Sequence, residues 1–399
     1  MQETWRWYGE PDPIPLDHVR QTGATGVVTA LHQIPDGTSW PLDAIQHRKG
    51  IVEAAGLEWT VCESIPMEQC VKRGDGEAGK AIARWKDTLA NLGRAGIPFV
   101  CYNFMPVVDW TRTDLRWKSP RAGGLALRFE MTDFVAYDVF ILRRPDAEGD
   151  YEASLVARAK ARAEAMSEDE KLLLERNIIA GLPGGALVQT RESISALLAS
   201  FKGIDASAMQ ANLLAFLREV VPVAEEFGVA LGIHPDDPPF PLFGLPRVVS
   251  TPDDVRAILT AVDTPANGIT LCTGSYGSRA DNDLTAMAQE FAPRVNFAHL
   301  RNVSVEPDGS FFEDDHLDGG TDMVAVLEAL LREERRRKGI GDTRPPIPLR
   351  PDHGHLLGDD ITKTTNPGYS YNGRLKGLGE LRGVIRAVER QLDREELGA

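Results

Sequence analysis

The feature that most constrains this chain is a rhythm. Short runs rich in β-branched and aromatic residues alternate with stretches of helical periodicity, the pattern of βα units on a parallel sheet. Eight such runs can be read: TWRWYG (4–9), GVVTAL (26–31), LEWTVCES (57–64), PFVCYNFM (98–105), VALGIHP (229–235), GITLCTG (268–274), VNFAHLR (295–301) and IPLRPDH (347–353). Helical segments stand between most of them. PLDAIQHRKGIVEAAG (41–56) starts at Pro41 and stops at Gly56, and TPDDVRAILTAV (251–262) has Thr251 as its cap and Pro252 in the first helical position. Eight units of this kind close into a barrel, so the expected fold is α/β, a (β/α)8 TIM barrel.

One unit is out of step. Between the fourth strand and its helix, ASAMQANLLAFLREVVPVAEEFG (206–228), the chain carries 107–205, read as a large insertion after strand 4. It has charge-rich helical segments (152–176) and a Gly/Pro turn, NIIAGLPGG (177–185). Elaborations on the carboxyl side of barrel strands form lids or substrate walls, and the scarcity of apolar periodicity outside these helices argues against a second domain. The expectation is one barrel domain over 1–399, with 107–205 as a lid within it. The length of 399 residues suits such a barrel.

Charge narrows the partners. With 44 Lys+Arg against 59 Asp+Glu the net charge is −15, which argues against a nucleic-acid binder and makes the RRRK of LEALLREERRRKG (327–339) a solvated helix face. No run approaches the roughly 18 apolar residues of a membrane span, and the polar, aromatic start MQETWRWYGEPDP is not a secretory signal. A cytoplasmic protein with no membrane partner is expected. The four cysteines, irregularly spaced, suit reduced thiols. Whether the chain forms a homo-oligomer, such as a dimer, stays open.

In a parallel barrel the active site lies at the carboxyl ends of the strands. The last four ends carry His234, Cys272, His299 and Asp352 in turn. Singly, each has a bland reading: a histidine after an apolar run is more often a satisfied interior residue, and a lone cysteine a small buried hydrophobe. Together, two imidazoles, a thiolate and a carboxylate on adjacent strands point to a divalent metal, one ion per chain. Two His and one Cys suit zinc. Four protein ligands with positions left for substrate oxygens favour five- or six-coordinate Mn²⁺ or Fe²⁺.

Other strand-end residues suit an anionic polyol. Arg301 and Arg350 stand beside ligand positions and could grip a carboxylate bidentately, Arg350 having a structural ion pair as its alternative. His353 follows the aspartate and is a candidate acid or base, with a hydrogen bond to another site residue as the alternative; His355 is read as a residue that orients others. Tyr369, after a Pro-Gly turn, is either held at the site or on a mobile surface loop. Asn103 ends strand four, and Trp5, Trp7 and Tyr8 end strand one, where walls for a sugar-like ligand are expected. There is no GxGxxG after a strand, no GxxxxGK[ST] and no GxSxG; CTGSYG (272–277) could bind phosphate or turn sharply so that Cys272 and Ser275 face the centre.

The segments WRWYG (5–9), GATGVVTALHQIP (23–35), CYNFMPVVDWTRTDL (101–115), HPDDPP (234–239), GLPRVVST (244–251), CTGSYG, HLRN (299–302), RPDHGH (350–355) and TNPGYSYNGRLKGL (365–378) resemble the mannonate dehydratase family of the hexuronate-degradation type, from end to end. The resemblance implies a xylose-isomerase-like barrel dependent on Mn²⁺ or Fe²⁺, a hydro-lyase that converts D-mannonate into 2-keto-3-deoxy-D-gluconate and water. It also implies a metal held by the histidines of HPDDPP and HLRN, the cysteine of CTGSYG and the aspartate of RPDHGH, which are His234, His299, Cys272 and Asp352. One departure stands out: the family pattern has a His-His pair before Ile-Pro, whereas this chain has His32-Gln33. His353 and Tyr369 are expected to share the proton transfers, with base and acid unassigned, and metal affinity is expected to fall below about pH 6. An aldose–ketose isomerase or epimerase on the same barrel, and a non-catalytic sugar-acid binding protein, are the rival readings.

Overall fold

The computed structural model describes residues 1–121, 123–179 and 190–398. Twelve strands run among them: β1 (Gln2–Arg6), β2 (Gly26–Thr29), β3 (Glu58–Glu63), β4 (Phe99–Tyr102), β5 (Asp114–Lys118), β6 (Leu125–Phe129), β7 (Ala230–Ile233), β8 (Asn267–Cys272), β9 (Val295–His299), β10 (Asn302–Val305), β11 (Phe311–Asp314) and β12 (Pro348–Arg350). Eight of them close a parallel barrel in the order β1-β12-β9-β8-β7-β4-β3-β2, one strand for each expected run. Every residue of β2, β4, β8, β9 and β12 is buried, as a parallel sheet packed on both faces requires.

Local chemistry sets the helices. Helix Pro252–Ala261 starts with a reciprocal capping box between Thr251 and Asp254, and helix Ala206–Glu226 with the Asp205 carboxylate accepting from the Ala208 N–H. In helix Met323–Gly339 the basic run is paired: Arg335 reaches Asp393 and Glu396, while Arg336 and Arg337 share Glu333. Arg335 thus ties this helix to helix Tyr371–Leu397, while Arg336 and Arg337 pair within their own helix.

A second sheet was not visible in the periodicity. It is antiparallel, in the order β10-β11-β6-β5, and takes two strands from the insertion and two from the loop after β9. Phe129 on β6 stacks on Phe311 of β11 with ring centroids 5.6 Å apart, and Trp117 meets Phe312 at 4.7 Å. Helices Ala153–Ala165 and Glu168–Ile179 cover the expected segment 152–176. Of the expected turn 177–185, residues 177–179 finish that second helix and the rest lies outside the described residues.

Candidate active site

β7, β8, β9 and β12 are neighbours in the barrel, so the residues that finish them converge. His234, Cys272 and His299 bring one ligating atom each within 4.8 Å of one another. His234 Nδ1 sits 2.6 Å from the Pro235 carbonyl oxygen; donating there leaves Nε2 as the lone pair. Cys272 caps the short helix Thr273–Gly277, its sulfur accepting the Ser275 N–H at 3.4 Å. Burial by itself would lower the pKa of His234, but the Cys272 sulfur beside it raises it to about 9. His299 goes the other way: burial, then Arg350, hold it well below the ordinary imidazole range, so it is neutral. Its Nδ1 is buried without a hydrogen-bond partner. An orphaned ring nitrogen facing a sulfur and a carboxylate is what a metal ligand looks like before the ion is added.

Asp352 lies alongside, with Oδ2 3.8 Å from both Cys272 Sγ and His299 Nδ1. Arg301 Nε donates to that oxygen at 2.7 Å and Arg350 to the other. Asp352 has φ +58°, in the left-handed region that side chains rarely adopt. The consequence is local. An extended strand would send Asp352 and His353 to opposite faces, yet after this turn both line the same cavity. A second close group, Glu63, Cys101 and His299, already holds a cation: Arg350 donates to Glu63 at 2.9 Å and its Nε lies 3.1 Å from His299 Nε2.

The expected grip of Arg301 on a substrate carboxylate is revised. Arg301 is 1% exposed, and it donates to Asp352, to Glu313 at 2.6 Å, to Asp237 at 2.5 Å and to Ser275 at 2.9 Å. Gly274 allows this approach, since a Cβ there would come within 2.6 Å of the Arg301 side chain. Arg112 joins from the insertion, donating to Asp237 at 2.7 Å and Glu313 at 2.8 Å. Glu63, Arg350, Asp352, Arg301, Asp237, Glu313 and Arg112 thus form one buried network of alternating charge. Removing one partner from such a network costs roughly 3–5 kcal/mol, which makes it a rigid frame for the ligand carboxylate.

His353, Tyr369, Asn103 and Arg350 all line a cavity of about 300 Å³ above the ligand group. His353 Nδ1 lies 3.0 Å from Glu313 Oε1, with the rings of Tyr369 and Trp110 meeting it edge-on at 5.2 and 5.8 Å. Tyr369 follows the Pro-Gly turn; Gly368 has φ +79°, and a Cβ on it would press to 2.9 Å from the His353 ring. Burial pushes the Tyr369 phenol up, with Arg350 pulling it down by less. His355 Nε2 lies 3.0 Å from the Glu313 carbonyl oxygen, which steadies β11.

Trp7 does not line the cavity. β1 ends at Arg6, and alternation turns Arg6 to the mouth and Trp7 away from it, under the Arg48 guanidinium at 5.2 Å. Gln33 likewise accepts from Arg48 at 3.3 Å, while His32 lines the cavity 3.3 Å from Arg6. Sequence reasoning missed Arg6, His32, Glu63, Lys72, Asp237 and Glu313. Arg6 and Glu63 end their strands, His32 stands in LHQIP and Asp237 in HPDDPP, so those four carried a signal. Lys72 and Glu313 carried none. Lys72 is 3% exposed on the helix Gln69–Arg73, its Nζ donates to the Met105 carbonyl at 2.7 Å, and burial lowers its pKa to about 8.

A closed parallel (β/α)8 barrel thus carries at its carboxyl end an imidazole, sulfur and carboxylate group that could hold a metal ion. A sequence profile of the family D-mannonate dehydratase (UxuA) matches residues 1–395. Mannonate dehydratase 2 of Agrobacterium fabrum is 76% identical over 399 residues, all of both chains, and mannonate dehydratase of Saccharophagus degradans is 56% identical over 390 residues, 98% of each. The crystal structure of mannonate dehydratase from Streptococcus suis serotype 2 superposes with TM-score 0.77 at 34% identity, covering 98% of this chain and 95% of that one. The chain belongs to the D-mannonate dehydratase family. A D-tagatose 3-epimerase-like protein, at 11% identity and TM-score 0.52, shares the fold alone. Among the described residues no helix is long and apolar enough to cross a membrane.

Proposed function

We propose that this protein dehydrates D-mannonate by β-elimination, giving 2-keto-3-deoxy-D-gluconate and water, in cytoplasmic hexuronate catabolism. The observation that carries the reading is the convergence of His234, Cys272, His299 and Asp352 at the edge of one cavity, which His234 and Asp352 line together with His353 and Tyr369. The four ligands would hold Mn²⁺ or Fe²⁺, and the ion, when bound, supplies Lewis-acid stabilisation of the charge that develops when a proton leaves next to a carboxylate.

The chain's own groups do the rest. His353, with Nδ1 turned to Glu313, presents Nε2 as the base that takes the C2 proton. Tyr369, kept protonated by burial, donates to the departing C3 hydroxyl, so the C2–H and C3–O bonds break and a C2–C3 double bond forms. The enol then tautomerises to the 2-keto acid, gaining a proton at C3. Arg6 favours entry of a monoanion, Arg350 is committed to Glu63, Asp352 and His299 as the structural ion pair that was its alternative, and Asn103 and Lys72 offer hydrogen bonds to the polyol chain. Val108, Trp110, Ile179 and Leu197 line the same cavity, which supports the insertion 107–205 as a lid that excludes water.

Incubation with D-mannonate and Mn²⁺, followed by detection of a 3-deoxy-2-keto acid, tests the reading. A ketose or epimer as product replaces it with the isomerase reading, and unchanged substrate replaces it with a binding protein.

A further inference from the structure

Glu313 comes from outside the barrel and reaches its centre. It lies on β11, whose pairing partner β6 belongs to the insertion, yet its carboxylate is 4% exposed beside the ligand network. Three donors converge on the same oxygen: Arg112 at 2.8 Å, Arg301 at 2.6 Å and His353 Nδ1 at 3.0 Å. The two guanidiniums can only donate, and they fix the carboxylate in place. Burial alone would raise the Glu313 carboxyl, but the Arg301 and Arg112 guanidiniums hold it well below the ordinary carboxylate range, so it stays an acceptor.

We infer that Glu313 is a positioning residue for the elimination: it sets the tautomer and the angle of the His353 ring, so that Nε2 faces the substrate as a lone pair. A neutral imidazole carries one proton and can carry it on either nitrogen. An anionic acceptor at Nδ1 removes that choice. Asp352 Oδ1 stands 3.8 Å from Nε2, beyond hydrogen-bond reach, and Tyr369 and Trp110 meet the ring edge-on without distinguishing its nitrogens, which leaves the Glu313 carboxylate to do so. The inference rests on His353 being the base at C2. It adds that the second sheet delivers the group that makes His353 a base.

The test is a double-mutant cycle in the metal-loaded enzyme, read as kcat and as exchange of the C2 hydrogen of D-mannonate with solvent deuterium. Glu313→Gln should lower both by roughly 10- to 100-fold, with metal content unchanged and KM within about threefold, the usual cost of losing a partner that orients an active group. In a His353→Asn background the same change should cost less than about twofold, because a residue that acts only through His353 has nothing left to act on. If the full cost recurs in that background, Glu313 works through the arginines and the inference fails. If His353→Asn alone leaves kcat and exchange intact, the base assignment fails first, a distinct result. Should Glu313→Gln lose its fold or its metal, Glu313→Asp, which keeps the charge but draws the oxygen back by one methylene, goes through the same cycle under the same criteria.

Discussion

The barrel sheet and the antiparallel sheet meet at one site and contribute to it by different routes. Barrel strands such as β8 and β9 are buried along their whole length, and their chemistry sits only at the carboxyl ends, Cys272 and His299. The second sheet has an edge strand, β5, that is half-buried or exposed throughout, and it places Glu313 inside a strand, with Arg112 two residues before β5. Its cross-strand support is partly solvated: Arg128 donates to Glu306 at 2.8 Å and lies over Trp117 at 4.8 Å. The barrel therefore brings His234, Cys272, His299 and Asp352 together, whereas the second sheet and the segment before it bring Glu313 and Arg112 beside them.

The largest effect should come from the barrel's own contribution. Chelation, Cys272→Ser or Asp352→Asn should each lower turnover by more than about a thousandfold, because several kcal/mol of charge stabilisation depart with the ion. Turnover should return best with Mn²⁺ or Fe²⁺, and metal analysis alongside kinetics checks it. If both variants keep full metal and turnover, the ligand group lies elsewhere.

Next in size are the proton carriers, where the two sheets meet. His353→Asn and Tyr369→Phe should each cut kcat by roughly 10² to 10⁴ with metal content intact. Deuterium exchange at C2 separates them: it should vanish in the histidine variant and persist in the tyrosine variant. A change in KM alone for Tyr369→Phe would make the tyrosine a lid contact.

Phe129→Ala probes the division itself. Phe129 is fully buried and touches Phe134, Phe240 and Phe311, so truncation should cost about 3–5 kcal/mol of stability, read by denaturant titration, and about tenfold in kcat through Glu313. Metal content should hold. If metal is lost in proportion to activity, the two sheets are one cooperative unit and the contrast collapses.

The smallest effect is a slope. His234, raised to about 9, is protonated at neutral pH in the metal-free protein and must lose that proton to bind the ion. Affinity should therefore weaken about tenfold for each pH unit below about 9, not only below about 6, and calorimetry near pH 7.5 in buffers of different ionisation enthalpy should show about one proton released. Above about 9 the release should fade. The same slope in Phe129→Ala would show that this titration belongs to the barrel alone.

What could be read from the chain by itself follows from short-range rules. Eight runs announce strands because β-branched and aromatic residues cluster there between capped helices, and His234, Cys272, His299 and Asp352 announce a site because position along a barrel strand tells depth in the barrel. Tertiary structure decided what depends on phase and on distant partners. A two-residue difference in where β1 starts and a three-residue difference in where it ends put Arg6, not Trp7, at the mouth, since successive side chains point to opposite faces. A left-handed residue at Asp352 brings two consecutive side chains into one cavity, which no spacing rule foresees for a non-glycine residue. β6 and β11 are short and far apart in the chain, so no local pattern announces their pairing. The role of Arg301 is the clearest case: its neighbours along the chain suggested a hand for the substrate, but Asp237, Glu313 and Asp352 arrive from three other segments and take its donors, because a buried guanidinium must be neutralised by whatever the fold places beside it.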